Sequence, residues 1–581
     1  MNKYFNYLVF KSFLYFFYTE IKNLLRICKY LFNFFKHINF FNYFIFKKKN
    51  FHILKDGIQK EALSDNYNFW NKFLKSDGNK NGEVLITSLV SLKYYTIYNC
   101  IIGLILSKTY KKKPTALINK YDFNNEIFMR SFGIDKFYYI PEGNFFKRVK
   151  YFFLALKIIG NIRTIDEFLM IKNKNIDLGK IVYNHFIRFN GIASLNFITP
   201  KFYYFLSKVL LINNFSKDLF KSNNINDVVQ SESQFIPSSL VFQNALENNC
   251  KVFSRLGLSD KISVRIYNNI RDAYTNRYRF SKKLFDHVFI NHKDKVIKET
   301  KNFIEKRLLG TFGYHTDHDV GENMKHIIKN DQNNLINIYS KNELCKKFNW
   351  DTNKPIVVIF SVDLTDGIYT DNWRLFKDNL TWIKETLNIV KNINHINWLI
   401  KPHPNDIKNK VITSSSKEVL KLSKDFRNIN LFPDNYGNRS LPEIMSSVVT
   451  LNGSIGYEYP SLGIPSIICG ESIYSGKGFN YEPKTTAEYT DLLKKADRLP
   501  PLSSEEINKA KTFIYIYSIL AKVHTPLVPN DKIGGIDEAQ FWNNFKILLN
   551  NYKIEEDNFY KNFKIQLENF DWHTINNDFL K

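Results

Sequence analysis

Four short apolar runs in the second half of the chain, each followed by polar or glycine-rich residues, constrain the fold more than any other sequence feature. The runs are Ile356–Phe360, Ile396–Ile400, Val448–Leu451 and Pro465–Gly470. A helix-period segment, Trp373–Asn392, lies between the first two runs. Short apolar runs that alternate with helices are typical of buried parallel strands. The pattern therefore predicts an α/β fold with a doubly wound parallel sheet, in which ligands bind beyond the carboxyl ends of the strands.

A histidine between two prolines follows the second run, in the segment Lys401-Pro402-His403-Pro404. The prolines fix its backbone, and a rigid imidazole near a phosphate can donate a hydrogen bond or a proton to a leaving group. Lys401 either adds a positive charge beside it or only ends the strand. The alternative is a histidine with a purely structural role.

A glycine-rich turn follows the third run. Its candidate phosphate-contacting residues are Asn452, Gly453, Ser454 and Gly456. Glycines allow backbone N–H groups to approach a phosphate closely, and a serine hydroxyl adds a donor. Glu458 begins the next helix, where its carboxylate can accept hydrogen bonds from the two ribose hydroxyls of a nucleotide. The alternatives are a tight βα turn and an ordinary acidic residue in a first helical turn.

These motifs, in this order, resemble those of a known enzyme group. Lys401–Pro404, Gly453–Glu458 and Leu462–Pro465 are similar to the C-terminal half of GT-B glycosyltransferases. More narrowly, they resemble bacterial capsule and lipopolysaccharide synthesis proteins, a group that includes Kdo transferases and bacterial sialyltransferases. Tyr474–Phe479, which contains Lys477, resembles that group's loop after the last nucleotide-side strand. The resemblance covers residues 343–493 and reaches the N-terminal half only through a pattern of strands and helices.

The resemblance implies a GT-B-like fold with two Rossmann-like domains facing a cleft. It implies that the C-terminal domain holds a nucleotide-sugar donor, CMP-linked in the sialyltransferases, with Lys477 among the donor-binding residues. His403 and Ser454, with the backbone at Gly453 and Gly456, would stabilise the departing phosphate. The sugar would pass, with inversion, to a surface glycan or lipid-linked glycan acceptor. The resemblance implies no metal and no cofactor, because the nucleotide sugar is itself a substrate.

An inverting transferase needs a carboxylate that takes the proton of the acceptor hydroxyl. Glu232 is the candidate on the acceptor side, because it stands at the polar end of the predicted strand Asp227–Ser233; the alternative is a capping box for the next helix. Sialyltransferases carry an acidic pair followed by glycine. The nearest match is Thr365-Asp366-Gly367, which has one acid and lies on the nucleotide side, and it makes Asp366 a second candidate.

Two other functions stay open on the sequence. The His-Pro motif also occurs in CDP-glycerol polymerases, so a glycerol- or ribitol-phosphate transferase with a CDP donor is the alternative enzyme. The Asp-Tyr-Ser-Ser stretch that usually accompanies the motif there is missing from this sequence. A non-catalytic nucleotide-binding scaffold of a polysaccharide assembly complex is the alternative outside enzymes.

The composition excludes some classes of partner. The chain carries a formal charge of +26, but no zinc finger, RNA-binding aromatic motif or basic helix repeat accompanies it, and we expect no nucleic acid partner. Five cysteines stand at no metal or redox spacing, and Cys100, Cys250 and Cys469 lie in apolar contexts typical of small core residues. The expected compartment is therefore the reducing cytoplasm.

The pattern along the chain predicts four parts, with boundaries after residues 60, 335 and 505. Residues 61–335 form the acceptor-side Rossmann-like domain with helical insertions, and residues 336–505 form the nucleotide-sugar-binding domain. Residues 506–581 form C-terminal helices, of which Ile507–Val523 is expected to cross back to the first domain. Within the acceptor side, Val84–Thr87 and Lys251–Ser254 are predicted strands.

Three segments of the acceptor side are predicted to be helices or loops without a catalytic role. A helix that begins near Asp177 and contains Arg188 is expected to be an ordinary amphipathic helix. Residues 259–329 are expected to be helical, polar and basic. His315-Thr316-Asp317-His318-Asp319 has a metal-like composition, but ligands this close in a loop rarely all point at one ion, and we expect a loop.

Residues 1–60 form a basic, aromatic helical segment. They contain eleven Lys and Arg against two acidic residues, and 18 of the first 46 residues are Phe or Tyr. Charges interrupt every stretch of membrane-spanning length, so neither a span nor a signal peptide is expected. The composition suits a helix lying on an anionic membrane surface, which would make the protein peripheral on the inner face of the cytoplasmic membrane. Packing of the helix on the protein's own surface is the alternative.

Overall fold

The computed structural model describes residues 2–37, 54, 56–75, 81–90, 92–256, 261–274, 279–308, 340–368, 373–403, 414–433, 440–528 and 538–580. Two largely parallel sheets form the framework of these residues, and helices cover the sheets. The motif at residues 315–319 lies outside the described residues.

The first sheet contains seven strands, six from the first half of the chain and one short C-terminal segment. They are β1 (Glu83–Ser88), β2 (Lys113–Asn119), β3 (Lys136–Ile140), β4 (Ile225–Gln230), β5 (Lys251–Leu256), β6 (Lys261–Tyr267) and β12 (Val523–His524), in the order β12-β6-β5-β4-β1-β2-β3. Strands β1 to β5 pair in parallel, and β6 and β12 are added antiparallel. The parallel part therefore has the Rossmann order 3-2-1-4-5.

The second sheet contains the four strands predicted from the apolar runs and one further strand. They are β7 (Ile356–Phe360), β8 (Asn397–Lys401), β9 (Ile429–Leu431), β10 (Ser447–Thr450) and β11 (Ser466–Ile468), in the order β11-β10-β7-β8-β9. All pairs are parallel, and every residue of β7 is buried. Counted from β7, this sheet has the same Rossmann order, which confirms the predicted doubly wound sheet.

Twenty α-helices are described. They are α1 (Asn2–His37), α2 (Gly57–Leu74), α3 (Lys93–Thr109), α4 (Phe123–Arg130), α5 (Phe145–Gly160), α6 (Ile165–Leu169), α7 (Leu178–Asn190), α8 (Pro200–Ser222), α9 (Ser238–Glu247), α10 (Lys282–Asn291), α11 (Lys293–Leu308), α12 (Lys341–Phe348), α13 (Asn379–Val390), α14 (Ser415–Leu422), α15 (Leu441–Ile444), α16 (Ile455–Glu458), α17 (Thr486–Lys494), α18 (Ser504–Tyr515), α19 (Glu538–Asn550) and α20 (Asn558–Asn569).

The C-terminal part of the chain contacts both sheets' layers. On α18, the Phe513 ring lies 5.2 Å from the Tyr457 ring beside the second sheet. After a π-helical turn, Ile516–Leu520, the chain forms β12 in the first sheet, and the Trp542 ring of α19 packs 5.1 Å from the Phe128 ring of α4. The chain thus returns to the first sheet after α18.

Two predicted helical segments are wrong in part. Residues 261–267 form strand β6 because Ile262 and Val264 alternate with polar residues, and both are fully buried in the first sheet's core. Helix α13 begins at Asn379, not at Trp373, because the Asp378 carboxylate accepts a hydrogen bond from the Thr381 N–H and caps the helix there. Cys100, Cys250 and Cys469 are buried, as predicted.

Candidate active site

The candidate donor residues lie at the carboxyl edge of the second sheet, on both sides of its central strand. Phe360 at the end of β7 pairs with Lys401 of β8 on one side and with Thr450 of β10 on the other. His403 comes two residues after Lys401, and Gly453 comes three residues after Thr450. Since neighbouring strands lie about 4.8 Å apart, β8 and β10 are separated by about 10 Å. The topological switch point of this sheet lies between β7 and β10.

The turn after β10 is held by hydrogen bonds from its own side chains. The Thr450 hydroxyl donates to the Phe360 carbonyl at 3.1 Å and accepts from the Gly453 N–H at 3.4 Å. The Gly456 N–H donates to the Gly453 carbonyl. Both glycine N–H groups are therefore used within the turn, which weakens their predicted role as phosphate donors. The half-buried Ser454 hydroxyl makes no capping hydrogen bond to α16, so it can serve a ligand.

A buried tyrosine, Tyr474, leaves no room for a side chain at Gly456. The Tyr474 hydroxyl donates to the Gly453 carbonyl at 2.6 Å, and a Cβ at position 456 would lie 2.0 Å from that hydroxyl oxygen. The ring atoms of Tyr474 would be 2.5 and 2.8 Å away. The sequence pattern suggested phosphate approach as the role of this glycine, whereas the structure gives it a packing role.

We expect Gly456→Ala to lower the free energy of unfolding by about 2 kcal/mol, because the added methyl group must displace the fully buried Tyr474. Urea unfolding measures this change. Gly470→Ala is the matched control at the end of the neighbouring strand, since its Cβ would meet Leu451 at a tolerable 3.3 Å. The double variant Gly456→Ala/Tyr474→Leu should recover part of the loss. Equal stability of Gly456→Ala and wild type would contradict this packing role.

Lys401 and His403 lie at the carboxyl end of β8. The Lys401 ammonium lies 4.4 Å from the centroid of the Phe432 ring, which follows β9, so this lysine extends away from β7. This is a cation–π contact, and the role of Lys401 in donor binding stays a prediction. His403 is half-buried at the carboxyl end of β8.

Lys477 lies in the loop after β11, where burial and neighbouring cations lower its pKa. Burial, followed by the nearby Arg279 guanidinium, lowers the pKa of Lys477 to about 8. Its ammonium lies 4.4 Å from the centroid of the Phe285 ring, and Arg279 forms an ion pair with the buried Glu471 at 3.0 Å. A partly buried ammonium with a lowered pKa is stabilised by an anion that binds beside it.

In the loop after β7, the buried carboxylate is that of Asp363. This buried side chain accepts from the N–H and the hydroxyl of Thr365, at 2.9 and 3.0 Å. Asp366, the residue chosen from the sequence, is half-buried in the same loop, and its N–H points to the Asp363 carbonyl at 3.5 Å. Glu458 is buried at the last residue of α16.

Glu232 lies just beyond the end of β4, at the carboxyl edge of the first sheet. Its carboxylate accepts from the Gln234 N–H at 2.6 Å, and α9 begins after Pro237 with no side-chain cap. The alternative of a capping box is therefore wrong. The switch point of the first sheet lies between β1 and β4, so Glu232 stands at the position where an open α/β sheet binds its ligand.

Helix α7 joins the carboxyl edges of the two sheets. The Asn184 amide donates to the Gln234 carbonyl after β4 at 3.2 Å and accepts from the Ile368 N–H after β7 at 3.0 Å. One side chain thus ties together the loops at both switch points. The loops that carry Glu232 and Asp366 therefore both contact α7 through Asn184.

Two further contacts of α7 were not predicted. The Arg188 guanidinium donates to Asp363 at 3.0 Å and to the Thr365 hydroxyl at 3.1 Å. The Tyr183 hydroxyl donates to the fully buried Asp378 at 2.8 Å, and burial together with this carboxylate raises the pKa of Tyr183, which stays protonated. The helix is amphipathic, as predicted, and in addition its polar residues contact the second sheet's loops.

His185 on α7 is a further candidate site residue, and no sequence pattern indicated it. Its Nδ1 accepts from the Ile236 N–H at 3.0 Å, in the loop that follows Glu232. Stacking between Phe189 and Phe205 buries the ring, and burial lowers the pKa of His185 to about 4. The imidazole is therefore neutral at physiological pH and carries its proton on Nε2.

Within the part of the chain that the structure describes, no group of three or more His, Cys, Asp and Glu residues has the arrangement of a metal site. Over the same residues, no helix has both the length and the apolarity needed to cross a bilayer.

No protein-family model matches the chain, and no curated protein matches its sequence. Among solved structures it is similar to KpsC of Thermosulfurimonas dismutans, a β-Kdo 2,4 transferase, with 12% identity, 58% of this chain and 95% of that chain covered, and a TM-score of 0.30. It is also similar to a UDP-GlcNAc 2-epimerase from Neisseria meningitidis bound to UDP-GlcNAc, with 11% identity, coverage of 74% and 98%, and a TM-score of 0.23. A third is Anabaena Alr3699/HepE in complex with UDP and glucose, with 10% identity, coverage of 75% and 95%, and a TM-score of 0.23.

The strand orders define the class of this fold without those comparisons. Two sheets of Rossmann order, joined at their carboxyl edges by α7 and followed by a C-terminal segment that returns to the first sheet, make a GT-B-like fold with a helical, basic N-terminal extension.

Proposed function

We propose that the protein is a GT-B glycosyltransferase that moves a sugar from a nucleotide-activated donor to a surface polysaccharide or lipopolysaccharide acceptor. The observation that carries the proposal is the meeting of two Rossmann switch points at Asn184. Ligands of open α/β sheets bind at such points. A substrate bound at the first sheet and a substrate bound at the second sheet would therefore meet in the same cleft.

In this proposal the second sheet holds the donor. The Ser454 hydroxyl and the His403 imidazole, on opposite sides of β7, would donate to the phosphates as negative charge develops on them. Lys477, whose pKa is lowered to about 8, would gain from an anionic donor in the same region. Asn452 and Glu458 would contact the nucleoside.

Transfer then requires a proton acceptor on the opposite side of the cleft. The acceptor hydroxyl oxygen would attack the anomeric carbon, its proton would pass to a carboxylate, and the bond to the phosphate oxygen would break with inversion. Glu232 is the proposed base, and its hydrogen bond from Gln234 fixes the carboxylate at the first sheet's switch point. Asp366 remains the second candidate. The proposed reaction uses no metal and no cofactor.

A thermal-shift screen over nucleotides tests the donor. A ligand that binds the folded state raises its apparent stability by mass action, so CMP, UDP, GDP and CDP-glycerol can be compared directly. One nucleotide should stand out at equal concentration. CDP-glycerol giving the largest shift would favour the polyol-phosphate transferase, and the absence of any shift at millimolar nucleotide would count against a donor site at this edge.

We expect Glu458→Gln to weaken the binding of the ribonucleotide more than that of its 2′-deoxy analogue, if the nucleotide screen has identified a ribonucleotide. A carboxylate bridging both ribose hydroxyls contributes about 2 kcal/mol through charge-assisted hydrogen bonds, and one of them is absent in the deoxy form. Titration of both nucleotides against both proteins measures the difference. Equal losses for the two nucleotides would mean that Glu458 does not contact the ribose.

A further inference from the structure

Helix α1 has one face that packs on the protein. On that face Phe16 is almost fully buried, with its ring 4.8 Å from Phe152 of α5 and 5.8 Å from Tyr204 of α8. The buried Glu20 carboxylate forms an ion pair with Arg148 of α5 and accepts from the Tyr204 hydroxyl. These contacts fix the orientation of α1 on α5 and α8.

The opposite face of α1 is apolar and exposed. Its large side chains recur every three or four residues and so share one side of the helix. They include Phe10, Leu14, Phe17, Ile21, Leu25 and Phe32, each at least half exposed. A helix that already packs through one face has no need of a second apolar face for its own folding, and apolar stripes of this size mark interaction sites.

Helix α5 extends this exposed face. Phe145, Phe146 and Phe153 are exposed on it, Phe146 to 80%. The Phe145 ring lies 6.4 Å from Phe17 of α1, and the Phe153 ring lies 5.6 Å from Phe13. The two helices therefore present one continuous apolar surface, which we call the α1–α5 face.

The charges around the α1–α5 face are almost all positive. The two helices contain ten Lys and Arg and a single acidic residue, Glu20, which is neutralised by its buried ion pair with Arg148. Lys11, Lys22 and Lys29 are exposed along one edge of the apolar stripe of α1. An apolar helix face beside a row of lysines is the arrangement of helices that lie in the headgroup region of an anionic bilayer.

We propose that the α1–α5 face docks on an anionic lipid bilayer, with both helices lying in the plane of the headgroups and Phe146 entering the acyl region. A second copy of this chain is disfavoured as the occupant, because it would bring two strongly positive surfaces together. The proposal concerns a surface separate from the nucleotide cleft, so it stands or falls independently of the donor.

Vesicle co-sedimentation of the full chain tests this proposal. The wild type should bind to vesicles of phosphatidylcholine with about 30% phosphatidylglycerol, and much less to phosphatidylcholine alone. The variant Phe17→Ser/Ile21→Ser/Leu25→Ser/Phe146→Ser should lose more than about 100-fold in binding. The variant Lys11→Gln/Lys22→Gln/Lys29→Gln should lose about fivefold per residue, and high salt should have the same effect.

The matched control changes four exposed apolar side chains elsewhere. Ile290→Ser/Leu420→Ser/Ile547→Ser/Phe570→Ser should bind as the wild type does. Truncation of α1 is a poorer test, because it would remove Phe16 from the core. All side chains in the test variants are exposed, so their unfolding midpoints should match that of the wild type; if the serine variant does not fold, the lysine variant decides alone.

Three results would overturn the proposal. One is a wild type that does not bind anionic vesicles. Another is binding by the serine or the lysine variant equal to that of the wild type. The third is a wild-type dimer in light scattering that the serine variant converts to a monomer while neither binds vesicles, which would assign the face to self-association.

Discussion

The variant His403→Ala should turn over the nucleotide-sugar donor about 100-fold more slowly than the wild type. Removal of one hydrogen-bond donor that stabilises developing negative charge typically lowers the rate by 10²–10³, or about 3 kcal/mol of transition-state stabilisation. His403 follows β8 at the carboxyl edge, beside the central strand β7 and across it from Ser454, where a departing phosphate would accumulate charge.

The same strand offers a matched control. His395 precedes β8 at the opposite, amino edge of the sheet, where its ring nitrogen lies 3.2 Å from the Lys494 carbonyl. His395→Ala should retain wild-type turnover. Steady-state kinetics on the three proteins, with urea unfolding as a check of the fold, measures the effect. Wild-type turnover by folded His403→Ala would remove His403 from the mechanism.

The variant Arg188→Met should lower the free energy of unfolding by about 3 kcal/mol. It leaves the buried Asp363 carboxylate without the guanidinium that contacts it at 3.0 Å, and breaking one side of a buried ion pair is strongly destabilising. The substitution removes a contact between α7 and the loop after β7. Because α7 joins the carboxyl edges of the two sheets, we also expect these edges to associate more weakly. Urea unfolding measures the loss.

A double-mutant cycle separates this ion pair from general packing. Asp363→Asn keeps an oxygen for the Thr365 N–H and hydroxyl, so adding it to Arg188→Met should restore more than about 1 kcal/mol. Lys494→Met removes an exposed i,i+3 pair with Asp491 and should cost less than about 0.5 kcal/mol. Additive effects of the two substitutions would mean that Arg188 and Asp363 are not coupled.

The second sheet was predictable because its strands are buried on both sides. A continuous apolar run between turn residues, such as Ile356–Phe360, is what burial on both faces of a parallel sheet requires, and that strand has the predicted bounds. Strand β6 was missed because its alternating pattern lies in a polar, basic region and because it pairs antiparallel with β5 and β12, outside the parallel part of the first sheet. Its pairing with a neighbour, not its own composition, decides its structure.

The site was predictable only where it is local in sequence. The turn after β10 could be recognised from Gly453 to Glu458, but the reason for Gly456 is a tyrosine eighteen residues away. The Arg188 and Asp363 side chains are separated by 175 positions, and no local pattern signals their contact. The sequence therefore directed attention to Asp366, whereas the side-chain contacts of the loop centre on Asp363.

The N-terminal helix shows the same limit. Its composition predicted either a membrane-surface helix or packing on the protein, and the structure shows that one face packs through Phe16 while the other stays exposed. Composition could not separate these faces, because aromatic residues occur on both. The docking of the exposed face on lipid remains a prediction.

Release of the nucleotide from a nucleotide sugar is the most direct measurement of the central claim, that this fold is an active glycosyltransferase. The protein would be incubated with sugar derivatives of the nucleotide that gives the largest thermal shift, and the free nucleotide would be followed by chromatography with and without glycan acceptors. We expect the wild type to release the nucleotide and His403→Ala to release it about 100-fold more slowly. We expect Glu232→Gln to lose the part of the release that depends on a glycan acceptor. Tight nucleotide binding without release from any donor, by the wild type as by both variants, would contradict the claim and identify a nucleotide-binding scaffold.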